Sequence, residues 1–277
     1  MLRQGGTAFI LPMMVMMVLC FLAPLGVLAV ASITGPDGQV SLANYRQFLD
    51  DSFAVGVLWN TIFLGLKVVA AVTLLGVPIA LMYWHAGPRW RTLILIATLL
   101  PMLTSNVVRT FAWIVILGRN GPISQSMVEL GLSPRPFSLL FTETGLIMAL
   151  TQIELPLLVL PIIAVLATAD RRLVDAAEML GAARWRCFLT VLLPMMTPAI
   201  FAGWVLVFAS ATTSFVTHSV IGGARLIYMP QFVYREVGIL FQWPMAAAIS
   251  FLLLVSTGAV MIALTLLARH RRLAACA

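Results

Sequence analysis

An all-α membrane protein of about six spanning helices is the fold class this sequence predicts. Three observations carry that prediction. First, 61% of the 277 residues are hydrophobic and 10% charged, with mean hydropathy +1.04, whereas a soluble domain carries roughly 25% charged residues. A single water-soluble core cannot hide that excess, so lipid must be the main solvent. Second, apolar runs recur at about the 20 residues a helix needs to cross a bilayer, where only helices and closed barrels satisfy their own backbone. Third, arginines crowd alternate connections between those runs.

The runs lie at 8–32, 54–84, 92–117, 143–168, 190–215 and 244–268. The first resembles a secretory signal, with Arg3 ahead and Ala29-Val30-Ala31 behind. Its apolar part outlasts the roughly 7–15 residues of a signal core, so a retained helix is expected. Between the first two runs, SLANYRQFLDDSF (41–53) places Leu42, Tyr45, Phe48 and Leu49 on one helical face behind a Ser41 cap. That pattern predicts an amphipathic helix on the outer membrane surface. The second run is long enough to hold an interfacial turn before its span. GRNGPISQ (118–125) is a turn cluster that ends the third. No fixed-period repeat or polar domain boundary interrupts the chain, so residues 1–277 read as one transmembrane domain.

Orientation follows from the arginines. With the amino terminus inside, inner segments hold Arg3, Arg89, Arg91, Arg171, Arg172, Arg184, Arg186, Arg269, Arg271 and Arg272. Outer loops hold Arg46, Arg119, Arg135, Arg225 and Arg235. Basic residues favour the cytoplasmic side, so both termini are expected in the cytoplasm.

Several function classes drop out. A net charge of +7 is spread between apolar runs and not gathered on a polar face, which argues against nucleic-acid binding. Cys20, Cys187 and Cys276 have neither CxxC nor metal-ligand spacing, and His85, His218 and His270 stand far apart. Neither HExxH nor GxSxG occurs, so no catalytic residue, metal or cofactor is expected in this chain. The single lysine, Lys67, sits between Leu66 and Val68, so no Walker A loop exists. A passive pathway remains, or a pump powered by a partner.

The bridge at about 169–190 decides between them. Asp175 and Glu178 suit the positive end of a short helix. Gly181 permits a sharp turn or close approach. Ala182, Ala183, Arg184, Trp185 and Phe188 offer a second, partly apolar helix, and Pro194 sits where a span starts and a missing N–H is tolerated. Composition alone fits an amphipathic loop on anionic headgroups. The spacing says more: Asp175-Ala176-Ala177, three residues, Gly181, nine residues, then Val191-Leu192-Leu193-Pro194.

That pattern resembles the cytoplasmic signature loop of ABC importer permeases, E-A-A, three residues, G, nine residues, I-x-L-P, with Asp for Glu and Val for Ile. The resemblance implies the type I ABC importer permease fold and a coupling helix that docks on a separate ATPase subunit. Two such ATPases, which bind the ATP and Mg, would drive a pair of permeases, the second usually non-identical. A substrate-binding protein would deliver cargo outside the bacterial inner membrane. LWNTIFLGL (58–66) and LLPMLTSNVVRTFAWIVILGRNGPISQ (99–125) resemble the polyamine permease group, implying spermidine, putrescine or another organic cation as cargo. Relatives of that group import phosphonate, opines or ferric iron, and those cargoes stay open. A stand-alone channel or secondary carrier is the reading from another class, and it has no need of the bridge spacing.

Ionisable residues at membrane depth are functional candidates. Lys67, Arg109 and Glu154 qualify, the last within TQIELPLLVLP (151–161), where Pro156 and Pro161 free backbone carbonyls. Glu154, Arg109, Asn106 and Trp113 are the candidates for lining the pathway. Against that, Lys67 can snorkel, and Arg109 can anchor on headgroups. Glu154 can also form a structural pair with Arg109 or Lys67. Trp113, Trp204 and Phe208 could meet an amine by cation–π contact or simply pack.

Overall fold

A computed structural model describes residues 5–35, 39–170 and 172–276, and it is nearly all helix. In chain order the helices are α1 (Gly5–Ser32), α2 (Ala43–Asp50), α3 (Ser52–His85), α4 (Pro88–Leu99) and α5 (Asn106–Leu117). There follow α6 (Pro122–Glu129), α7 (Glu143–Thr168), α8 (Arg172–Met179), α9 (Arg184–Cys187) and α10 (Leu193–Thr213). The last are α11 (Phe215–Thr217), α12 (Met229–Gly238) and α13 (Trp243–Cys276). Among the described residues, five helices are long and apolar enough to cross a membrane, or six if α4 and α5 form one broken span. Arg3 and Arg171, and the side chains of Asp175, Arg184, Arg269, Arg271 and Arg272, lie outside the described residues.

The third predicted run is where the structure departs most. The apolar stretch 92–117 reads as one helix, but the chain bends by 101° between α4 and α5. Pro101 lies in a 3₁₀ turn (Leu100–Leu103), and Thr104 is extended at ψ 146°. Proline removes a helical N–H and clashes with the preceding turn, so a new helix starts at Asn106. The second run departs in the opposite sense. No interfacial turn precedes it, and α3 is one helix of 34 residues, about 51 Å long at 1.5 Å per residue.

The residues up to Leu58, with Phe232–Val255, form one compact unit. Here α2 buries Asn44 and Phe48, while Leu42 and Leu49 are exposed. The reason is a polar tie: Asn44 Nδ2 donates to the carbonyls of Ser32 (3.2 Å) and Thr34 (3.0 Å). Phe48 then meets Phe232 at 6.4 Å between ring centres.

The second unit, Trp59–Gln231 with the residues after Val255, is built on α7 and α10. Leu146, Leu150, Leu158, Ile162 and Leu166 of α7 are fully or almost fully buried. Small residues set how closely the helices approach, as expected where lipid is as apolar as leucine. A Cβ on Gly65 would stand 2.6 Å from Thr212 Cγ2 and 2.8 Å from Phe208 Cε2. One on Gly203 would stand 3.0 Å from the Leu158 Cα. The Trp204 indole donates to Thr73 Oγ1 at 2.8 Å, and Phe208 is wholly buried against the Gly65 face. Both aromatics therefore pack between helices.

Candidate functional site

The predicted bridge folds as two short helices joined by a tight turn. The Asp170 carboxylate accepts from the Arg172 amide at 2.9 Å and fixes the start of α8. Helix α8 ends at Met179, and the turn after it is set by Gly181, whose φ of +81° lies in the left-handed region. The Ala182 amide reaches back to the Ala177 carbonyl (3.1 Å), and the Gly181 amide to Glu178 (2.9 Å). These two bonds satisfy carbonyls that a helix end would otherwise leave bare. A Cβ at Gly181 would meet nothing within 4 Å, so the glycine is there for its backbone and not for space.

The turn presents an apolar tip. Met179 is 87% and Leu180 89% exposed. Leu173 and Trp185 are also exposed, the indole tilted 6.4 Å from the Phe188 ring. Ala176 and Glu178 are exposed, Ala177 and Ala182 half-buried. Cys187 and Leu192 are buried and anchor the bridge to the bundle. Phe188–Leu192 forms a π-helical turn, in which the Leu193 amide bonds to Phe188. Pro194 cannot donate to Thr190, and the widened turn accommodates that missing bond before α10. Met179 and Leu180 were not among the predicted site residues. Their signal in the sequence is only that two large apolar residues precede a helix-ending glycine.

The second candidate region gathers polar groups of α5, α7 and α10. Glu154 is 3% exposed, and Ser210 Oγ donates to its Oε1 at 2.9 Å. Arg109 donates through Nη2 to Asn106 Oδ1 at 2.8 Å. Its Nε and Nη1 are buried without a hydrogen-bond partner. Arg109 and Glu154 make no direct ion pair. Trp113 donates to Gln152 Oε1 at 3.2 Å. Arg109 and Asn106 thus pair with each other on α5, Trp113 is tied to Gln152 of α7, and Glu154 bonds to Ser210 of α10. Ser210, 56 residues from Glu154 in sequence, is the partner that residue patterns did not reveal.

Lys67 belongs elsewhere. Its Nζ pairs at 2.6 Å with Glu143, the first residue of α7, with side chains 51% and 42% exposed. It therefore sits level with an end of the α7 span, which the extra length of α3 permits, and it is not the partner of Glu154. An exposed pair of this kind contributes about 0–1 kcal/mol.

Beyond the end of α10, His218 is fully buried. Its Nδ1 bonds to the Ser214 carbonyl, and its Nε2 has no partner. Burial lowers its pKa from 6.5 to about 4, an effect the Ser214 bond only partly offsets. The unfolded chain therefore takes up this proton near pH 6.5 and the folded chain only near pH 4. Stability from the neutral ring is complete above 6.5 and falls with pH, by roughly 3 kcal/mol at pH 4. Thermal unfolding of the detergent-solubilised protein should show Tm dropping between pH 6.5 and 4, with a shallower drop for His218→Gln.

A bundle of membrane-crossing helices with a glycine-turned, exposed-tip connection at one end and buried charges within is the architecture of a transport permease. Residues 73–273 match the family described as the binding-protein-dependent transport system inner membrane component, and this chain belongs to it. It is 30% identical over 230 residues to the spermidine/putrescine transport system permease protein PotB of Haemophilus influenzae, covering 81% of this chain and 80% of that one. The PotB of Escherichia coli is 27% identical, with 86% and 88% covered. A putative 2-aminoethylphosphonate permease, PhnU of Salmonella typhimurium, is 27% identical, with 88% and 85% covered. The fold matches a permease chain of a bacterial alginate importer with TM-score 0.77 and 16% identity, over 95% of this chain and 94% of that one. The protein is accordingly a multi-pass ABC importer permease.

Proposed function

We propose that this permease imports a small organic cation of the polyamine type, driven through the 169–190 bridge. One ATPase subunit docks on that bridge and a second on the non-identical permease that completes the pathway, and a substrate-binding protein delivers cargo on the other face. The bridge and both termini face the cytoplasm. The observation that carries the reading is the Gly181 turn: a rigid, left-handed corner holding an apolar tip clear of the bundle, at the spacing of the importer signature. Its faces are the small Ala176, Ala177 and Ala182, which let a partner approach closely. The similarity to the PotB proteins supports the cargo, and buried Glu154 supports it chemically. A carboxylate costs roughly 2.5–3.5 kcal/mol at mid-membrane on insertion scales, and an amine in transit would offset that.

The test is uptake of radiolabelled spermidine by proteoliposomes holding the complete transporter. ATP-dependent uptake is expected, competed by unlabelled putrescine. Glu154→Gln keeps the shape and removes the charge, and should reduce uptake about tenfold or more while the complex still assembles. Full uptake by a well-assembled Glu154→Gln complex would remove that residue from the pathway. Uptake of 2-aminoethylphosphonate in place of spermidine would change the cargo and leave the machine intact.

A further inference from the structure

We propose that the Glu143 carboxylate and the Trp59–Phe63 ring pair form an entry site for an organic ammonium group, with Lys67 as the resident counter-ion that cargo displaces. The inference rests on the import reading above and names where a cation first meets this chain. It starts from the setting of one ion pair. Lys67 Nζ and Glu143 Oε1 stand 2.6 Å apart, yet both side chains are about half exposed. Glu143 opens α7 at the end remote from the bridge, and Lys67 lies nearly half-way along the 34 residues of α3. Ionised groups at membrane depth face protein or water and not lipid tails. Hydrocarbon therefore does not cover this side of α3.

The same side of the helix carries the rings. Ile62, Leu64, Val68 and Val69 are buried, and Gly65 lies against Phe208 and Thr212 of α10, which fixes the rotation of α3. Trp59, Phe63 and Lys67 follow at steps of four on the open side, so they line up along the helix. The two rings are 55% and 52% exposed, with centres 5.8 Å apart and planes tilted by 31°. Aromatic faces attract ammonium groups within about 6 Å, most strongly where water is scarce. The same faces carry negative charge density and repel an anion.

The carboxylate is held firmly and its partner loosely. Thr142 Oγ1 accepts from the Gly145 amide at 3.2 Å and donates to the Leu139 carbonyl at 2.7 Å, which pins the start of α7. Gly145 packs so closely on the Leu139 carbonyl that a Cβ would collide with it. Lys67, by contrast, is a point charge on a flexible four-carbon stem that can swing aside. An ionised carboxylate accepts several hydrogen bonds, so Lys67 does not exhaust Glu143. A cargo ammonium arriving over the rings would exchange for the Lys67 ammonium. Glu154 lies three turns further along α7, about 16 Å away, as the next carboxylate toward the bridge.

The experiment uses the complete transporter in nanodiscs, cysteine-free apart from Phe63→Cys. Labelling by a cationic and an anionic methanethiosulfonate of similar size is compared, each rate divided by that for a free thiol. The cationic reagent should react about tenfold faster. Glu143→Gln should erase that preference, and Lys67→Gln should increase it. An exposed pair adds little stability, so both variants should still assemble. With Phe63 intact, the spermidine concentration for half-maximal uptake should rise several-fold in Glu143→Gln and fall in Lys67→Gln. A purely structural ion pair predicts shifts of the same sign in both variants, and that result would overturn the proposal. So would labelling without charge preference, or no reaction with either reagent, the result expected if the second permease covers this face. A transporter that takes up no spermidine sinks the cargo reading, and the labelling ratios still decide the site.

Discussion

Gly181→Val is expected to abolish most ATP-driven uptake while leaving membrane insertion intact. With φ at +81° and open space around the Cα, the substitution meets no clash within the chain. What it meets is the backbone. A left-handed conformation costs an L-residue roughly 1–2 kcal/mol, and a β-branched one sits there worst. That is about a 5–30-fold shift away from the observed turn. The Ala182–Ala177 and Gly181–Glu178 bonds would break with it, and Met179 and Leu180 would leave their place at the tip. Gly181→Asn is the informative control, since asparagine tolerates the left-handed region. It should retain most uptake, with Gly181→Ala between the two. Equal loss in the valine and asparagine variants would mean that bulk at a docking surface matters more than the turn.

Gly203→Val should act on assembly instead of coupling. Its Cβ would stand 3.0 Å from the Leu158 Cα and collide with the Leu158 side chain. Backbone cannot yield as a flexible side chain does, so α7 and α10 must separate. Overpacking of this kind costs about 1–3 kcal/mol, occasionally more, and separation would also disturb the Ser210–Glu154 bond. The yield of monodisperse protein in mild detergent should fall several-fold. Gly258→Val is the matched control in α13, where an added Cβ meets nothing within 4 Å. A normal yield for Gly203→Val would mean the α7–α10 approach is looser than this packing.

Much of this architecture is legible in the sequence, and the reasons are physical. Lipid imposes long apolar runs, so composition and run length place five spans within a few residues. The bridge was legible because its spacing is tied to a turn that needs glycine at one position. The break before α5 was hidden, since LLPMLTSN lies inside a stretch apolar enough to pass as one span. Only Pro101 hinted at it, and prolines also sit inside the unbroken α7 at Pro156 and Pro161. Lys67 was misplaced in depth because run length does not say which part of a 34-residue helix lies in lipid. The Ser210–Glu154 and Lys67–Glu143 partnerships join distant parts of the chain, and no local period encodes them. The Asn44 bonds to the carbonyls of Ser32 and Thr34, which tie α2 to the end of α1, likewise join separate stretches.

The central claim is that energy enters through the bridge, and Leu180 offers the most direct access to it. At 89% exposure on the turn, a cysteine there should leave the fold unchanged. In a cysteine-free background, Leu180→Cys in inverted membrane vesicles should cross-link through a short bifunctional thiol reagent to a co-expressed ATPase subunit. The cross-link should change in yield when ATP and vanadate are added, and the same position should resist impermeant thiol reagents applied to intact cells. Labelling of Leu180→Cys from outside, or the absence of any ATPase adduct in vesicles that take up cargo, would contradict the account.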